Sequence, residues 1–409
     1  MKGNGGKGQK IGFILILILC ILLLDGCWGK REVEQLAPLI GVGIDLGQKP
    51  DTFLITEQYA LPKKGGATAS DVEGWTYSYE VSSAREINEM SSKILNLVPF
   101  MGSLKVIVVS EDVAKAGFND ILDFAHRFSE FRRSLYLVLA KGKAQDLLNL
   151  KLRKGELPAK FIKSNIETGD TISAFPKVRL GHYLTVLGRK STAPILPVVE
   201  SIKSGDEGIE YKAEGEDGVQ ELRIQGAGVL RGDRLVDLLT DEETKGYMWL
   251  ENDVANRLIN TVDLEESSVK FGGQVLKSNT KYKVKANNGK IELHYQIKTS
   301  IAIDEVLGLK KQLSGAEWVE LAKGAEKSFA KVIESECKSS IKKQRELSLD
   351  FLGIGRHIEQ KNSAYWKTIK DQWEEKIKDF PVSLEVQVTV HHSGMSSSSA
   401  VNSSGEGQD

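Results

Sequence analysis

The sequence predicts an α+β protein, a multi-domain exported body of mixed sheets and helices behind a signal peptide. Three observations lead there. Strand and helix patterns alternate through the first half, whereas the second half groups hairpin strands with long amphipathic helices. The 409 residues are 41% hydrophobic, enough apolar material for two or three domain cores. At the N-terminus a basic tip (Lys2, Lys7, Lys10) precedes an apolar run from Ile11 to Leu24, and Gly26 stands just before Cys27. That run is shorter than the roughly 20 apolar residues a spanning helix needs. Residues 1–26 therefore read as a secretory signal.

The first folded region spans residues 27–200. Leu39–Ile44 and Phe53–Thr56 read as strands on either side of a turn at Gly47–Asp51. Trp75–Val81 alternates aromatic with polar residues, a strand with one buried face. Ile87, Met90, Ile94 and Leu97 recur at helical spacing. Lys105–Val109 follows as a strand, Phe118–Phe131 as a helix and Leu135–Leu139 as another strand, the alternation of a layered sheet-and-helix domain. Gly41-x-Gly43 with Gly47 has the glycines of a dinucleotide loop. It lies inside a strand pattern and opens no helix, so that reading fails.

Residues 201–219 are dense in Gly, Asp, Glu and Lys and read as a linker or long solvated loop. The second region, 220–392, opens with a hairpin, Glu221–Leu230 turning at Gly232-Asp233 into Arg234–Val236. Thr240 with Glu243 has capping-box spacing, followed by the apolar series Tyr247, Leu250, Val254, Leu258. Lys281–Lys285 and Ile291–Ile297 flank Asn288-Gly289, a type I′ hairpin signal, with His294 on the polar face. Ser314 with Glu317 starts the longest helix, whose apolar face runs Trp318, Leu321, Ala325, Phe329, Ile333, Cys337, Ile341. Burial of that face against a sheet is the expectation. Trp366, Ile369, Trp373, Ile377 and Phe380 form a shorter packed helix ended by Pro381. Leu384, Val386, Val388 and Val390 alternate in a final strand, and the Ser- and Gly-rich tail, 393–409, reads as disordered.

Charge and chemistry narrow the function. The chain carries 55 Lys+Arg against 56 Asp+Glu, and without residues 1–26 the counts become 52 and 55. A net charge near −3 argues against nucleic acid as a partner. Cys20 leaves with the signal, and Cys337 falls on an apolar helix stripe as a buried structural thiol, so no disulfide framework is expected. His391-His392 lacks a Cys or carboxylate at ligand spacing, and no metal or other cofactor is expected. No nucleophile elbow, H-E-x-x-H helix or P-loop occurs. Glu242-Glu243 and Glu265-Glu266 lie in polar runs where solvated charge is the default, although sequence leaves open a cleft that assembles them.

Leu23-Leu24-Asp25-Gly26-Cys27 resembles the bacterial lipobox, in which a diacylglycerol is added to the Cys sulfur and the peptide is cut before it. Asp25 departs from the small or hydroxyl residue usual there. A wider resemblance runs through Cys27-Trp28-Gly29-Lys30-Arg31-Glu32-Val33, Gly41-Val42-Gly43-Ile44-Asp45, Lys105–Val109, Glu130-Phe131-Arg132-Arg133 and Pro194-Ile195-Leu196-Pro197. Its more specific part is Gly226–Leu230, Asp241–Leu250 and Asp350-Phe351-Leu352-Gly353-Ile354-Gly355-Arg356 with Trp366 and Trp373 beyond. In this order the segments resemble the Ger(x)C family, the lipoprotein C subunits of GerA-type nutrient germinant receptors in endospore-forming bacteria. Gly29 stands where an acidic residue is usual, and Ser103 where a His is common. The resemblance implies a three-part ectodomain on the outer face of the spore inner membrane, tethered through acylated Cys27. It also implies assembly with the membrane-embedded A and B subunits, and leaves direct nutrient binding undecided. Two rival readings are a solute-binding lipoprotein of an ABC importer, which expects two similar α/β lobes, and an enzyme.

Overall fold

The computed structural model describes residues 12–14, 35–62, 72–127, 131–152, 155–169, 172–203, 206, 220–261, 269–287, 290–308 and 314–392. Cys27, Glu265-Glu266, the Asn288-Gly289 turn and the expected tail lie outside them.

The first sheet grows from one apolar strand. β1 (Leu36–Leu46), β2 (Phe53–Pro62) and β3 (Val72–Val81) form an antiparallel meander. On the other side of β1, β4 (Val98–Phe100) pairs parallel with Leu36–Pro38, and β5 (Val106–Ser110) with Gly41–Ile44. β6 (Tyr136–Ala140) and β7 (Ile195–Lys203) continue in parallel, then β8 (Gln220–Arg231) and β9 (Arg234–Leu239) return antiparallel. The path is β3-β2-β1-β5-β6-β7-β8-β9. Every residue of β5 and β6 is buried, because both faces are covered. One face takes α1 (Ala84–Ile94), α2 (Glu111–Ala116), α3 (Asn119–Arg127) and α6 (Leu180–Leu187). The opposite face takes α4 (Ala144–Leu148) and α5 (Pro158–Thr168).

Gly41 and Gly43 make the second covering possible. A Cβ on Gly41 would lie 2.5 Å from Ala159 Cβ, and one on Gly43 3.0 Å from Leu148 Cδ1. The glycine pair is a landing site for helices rather than a phosphate loop. Of residues 201–219, expected as a linker or long solvated loop, Ser201–Lys203 completes β7, which pairs with β8 from Lys203↔Gln220 to Ile195↔Val229.

The second sheet has the order β10-β11-β12-β13. β11 (Lys270–Asn287) and β12 (Lys290–Leu307) form a long hairpin whose register closes at Asn287↔Lys290. β10 (Leu258–Asn260) joins β11 antiparallel, and β13 (Val382–His392) runs parallel to β12. Both capping boxes form, at Thr240 before α7 (Asp241–Leu250) and at Ser314 before α8 (Gly315–Leu347). α8 runs for 33 residues and buries Ala325, Phe329, Ile333, Cys337 and Ile341 in a core with Leu293, Tyr295, Ile297 and Ile301. Each larger apolar side chain there is worth roughly 1.5–3 kcal/mol. Ala227, Val229 and Leu239 belong to the same core, so the β8–β9 hairpin is bonded to one sheet and packed into the other half.

Two periodic segments behave differently from expectation. Tyr247, Leu250, Val254 and Leu258 outlast their helix: α7 stops at Leu250, Asn252 and Asn256 take left-handed φ of 59° and 53°, and Leu258 enters β10. The Trp366–Phe380 helix is interrupted. α9 (Ile354–Lys361) and α10 (Ser363–Ile369) lead through a 3₁₀ turn at Lys370–Gln372 into α11 (Trp373–Lys376). The rings still cluster, with Trp366–Trp373 centroids 5.3 Å apart and Trp373–Phe380 5.2 Å apart, both edge to face. The break accommodates a hydrogen bond that the Trp373 indole donates to Asp350.

Candidate functional site

The two halves meet at Asp350–Arg356, the turn between α8 and α9. Ser348 ends α8 in the left-handed region (φ 54°), and Gly353 adopts φ 63° to start α9. Buried Asp350 ties the turn together. Its carboxylate accepts from Ile354 N (2.8 Å), Gly355 N (2.5 Å) and Trp373 Nε1 (2.9 Å). Burial pushes this carboxyl up to about 6, against those three hydrogen bonds. The segment leading into β7 docks on the same turn: Ala193 N donates to Asp350 O (2.7 Å), Arg356 N to Ser191 O (3.0 Å) and Ser191 Oγ to Glu359 (3.0 Å). Gly355 permits this approach. A Cβ there would lie 2.8 Å from both indoles and 2.9 Å from Ser191 O.

Charges brace the junction. Arg356 Nη2 reaches both Glu251 oxygens, at 3.0 and 2.7 Å. Burial still raises the Glu251 carboxyl above its ordinary value. Deeper in the second half, Arg257 pairs with Glu336 at 2.5 and 2.8 Å, with both side chains under 10% exposed, and Trp249 Nε1 donates to Glu336 at 2.8 Å. α7 comes this close to α8 because residue 246 is glycine; a Cβ there would overlap the Glu336 carbonyl. His357 stacks on Tyr282 at 3.7 Å, with Tyr295 OH 3.3 Å from Nδ1. Burial, and then the Arg356 charge, lowers this imidazole to about 3, so it stays neutral.

A cleft of about 540 Å³ opens along the seam. Arg189 and Lys190 line it from the first half and Arg231 from the end of β8, facing Lys370, Asp371, Glu374 and Glu375. Lys190 meets Asp371 at 3.5 Å, an exposed pair worth less than about 1 kcal/mol. Opposed walls of this kind hold two bodies in register, or meet a partner that carries both signs.

The residues singled out by sequence fall mostly elsewhere. Cys337 is fully buried, and burial raises its thiol far above the ordinary range. His294 Nδ1 lies 2.8 Å from Ser383 Oγ, with Nε2 3.6 Å from Glu385, so β13 covers a residue expected to be solvated. His391 sits exposed on β13. Glu243 closes the α7 capping box, and Glu242 accepts from Ser335. Among the described residues no group of three or more His, Cys, Asp or Glu is placed to hold a metal ion. Sequence reasoning missed the buried charges Glu336, Arg257 and Glu57. One signal for the first was available: Ser328, Glu336, Ser340 and Gln344 recur in multiples of four along α8 and are all buried. Asp45 is similar, reaching across the sheet to accept from Ala144 N and Gln145 N at 2.8 Å each.

Fold and seam define a two-sheet α+β protein whose motif residues join its parts. Residues 29–201 match the family model described as "Spore germination protein N-terminal domain", and residues 225–394 match "Spore germination B3/ GerAC like, C-terminal". The chain belongs to this GerAC-like spore germination family. Similar relatives include spore germination protein KC of Bacillus subtilis (strain 168), 25% identical over 95% of this chain and 97% of that protein. Spore germination protein B3 of the same organism is 23% identical over 94% and 97%, and GerQC of Bacillus cereus 23% over 92% and 98%. The crystal structure of the GerBC protein superposes with a TM-score of 0.54 at 21% identity, covering 85% of this chain and 97% of that one.

Proposed function

We propose that the chain is the C subunit of a spore nutrient germinant receptor, a lipid-tethered ectodomain needed to assemble the receptor that triggers germination. One observation carries the reading: the two germination family models fall in order on one chain, the first ending at residue 201 and the second, from 225 to 394, containing the Asp350–Arg356 turn. The importer reading expected two similar lobes. Instead a sheet covered by helices on both faces stands beside a four-stranded sheet under one long helix.

In this reading the subunit is not an enzyme. Its membrane partners are the A and B subunits, and it sits on the outer face of the spore inner membrane. Among the described residues no helix is long and apolar enough to cross a membrane. In this reading attachment rests on a diacylglycerol at Cys27 and on protein contacts. The test is dipicolinate release from Cys27→Ala spores across a nutrient panel, beside a receptor-independent trigger and a whole-gene deletion. Loss of response to one nutrient class, with the independent trigger intact, supports the proposal. A deletion strain that responds normally to every nutrient sinks it.

A further inference from the structure

From the exposed apolar residues at the start of β1, we infer a bilayer-seating edge, a second membrane contact formed by Ile94, Val98, Pro99 and Phe100. This rests on the reading of Cys27 as the lipid-bearing residue. β4 pairs in register with the first residues of β1, Leu36↔Val98 to Pro38↔Phe100, and α1 ends against β4. Phe100 at the end of β4 is 41% exposed and Ile94 at the end of α1 is 38% exposed, with Val98 and Pro99 half-buried between them. An aromatic and an aliphatic side chain held open to solvent at a sheet end are what an interfacial contact uses.

The tether selects the occupant. Eight residue steps separate Cys27 from Gln35. Fully extended, they span at most about 28 Å. The start of β1 is therefore held within that distance of the lipid headgroups. Lys30 and Arg31 in the same stretch are balanced by Glu32 and Glu34, so the reach of the tether, not charge, selects the bilayer. Leu46, at the far end of β1, is also exposed, at 47%. The strand's rise places it roughly 33 Å along β1 from the edge, beyond the reach of the same contact. Acyl chains fix a point but not an orientation, whereas a second apolar contact beside the tether fixes both. The edge thereby sets which faces of the ectodomain look along the membrane towards receptor subunits.

The test uses the full lipidated protein in vesicles of phosphatidylethanolamine and phosphatidylglycerol, with no other protein present. Mature chains carry Phe100→Cys or Leu46→Cys, each labelled with an environment-sensitive fluorophore; Cys337 is buried and stays unlabelled. Intact mass first establishes whether Cys27 bears diacylglycerol. With the lipid present, a label at 100 quenched about threefold more than one at 46 by shallow spin-labelled lipid supports the edge. Equal quenching overturns it while leaving the tether standing. Absence of the diacylglycerol overturns the lipid reading and the edge together.

Discussion

Acidification should destabilise this protein through His357, by an amount the structure sets. The imidazole is buried, stacked on Tyr282 and lowered from 6.5 to about 3. In the unfolded chain it takes up a proton as pH falls below 6.5, and in the folded protein it does not. Stability from this group is therefore complete above pH 6.5 and is lost progressively from there down towards pH 3. Between pH 7 and pH 5 the linkage relation gives a loss of about 2 kcal/mol. Asp350 works in the opposite direction. Its carboxyl is raised from 3.8 to about 6, so the folded state holds its proton more tightly and gains stability as pH falls from 6 to 3.8. Between pH 7 and pH 5 that gain is on the order of 1 kcal/mol. The two contributions oppose one another in wild type, so a substitution is needed to separate them. His357→Phe keeps the ring stack and loses the long contacts to Tyr295 OH and Arg356 Nη2. Urea unfolding followed by tryptophan fluorescence should place this variant within about 1 kcal/mol of wild type at pH 7. On moving to pH 5 it should lose about 2 kcal/mol less than wild type. Parallel pH dependences for the two proteins would refute the assignment of a buried neutral imidazole.

Three further outcomes are expected. Arg257→Ala should destabilise by about 3–5 kcal/mol in urea unfolding, because Glu336 is left charged and buried, whereas Arg257→Met with Glu336→Leu should recover much of that. Gly246→Ala should cost roughly 1–3 kcal/mol or more by pushing α7 off α8, whereas Gly324→Ala in the open on α8 should gain up to about 1 kcal/mol; similar melting temperatures for the two would contradict the helix crossing. Native protein should leave the Cys337 thiol unreactive to an aromatic disulfide reagent until denaturant is added, and prompt reaction would place that thiol at the surface.

Much of the architecture was readable locally. The capping boxes at Thr240 and Ser314 form because each needs only two side chains three residues apart. The stripe of α8 and the β11–β12 hairpin follow from periodicity and from a turn dipeptide, which are also local. Less local features misled. The Trp366–Phe380 period spans a 3₁₀ break, since a cluster of rings constrains where side chains end rather than how the backbone travels. Composition at 201–219 marked a solvated connection without saying whether strands or domains lay on either side.

By itself the sequence determined the composition class, the longest amphipathic elements with their capping boxes and the family to which the motifs belong. Tertiary structure decided what those motifs are for. Gly41 and Gly43 admit helices, Gly246 admits α8, and the Asp350 carbonyl, the Arg356 amide and the bare Gly355 hold Ser191–Ala193 against the turn. It also decided which charges are buried, as with Glu336 opposite Arg257, 79 residues away. Periodicity reports a residue's face along its own element, but burial and pairing depend on what another part of the chain brings to that face.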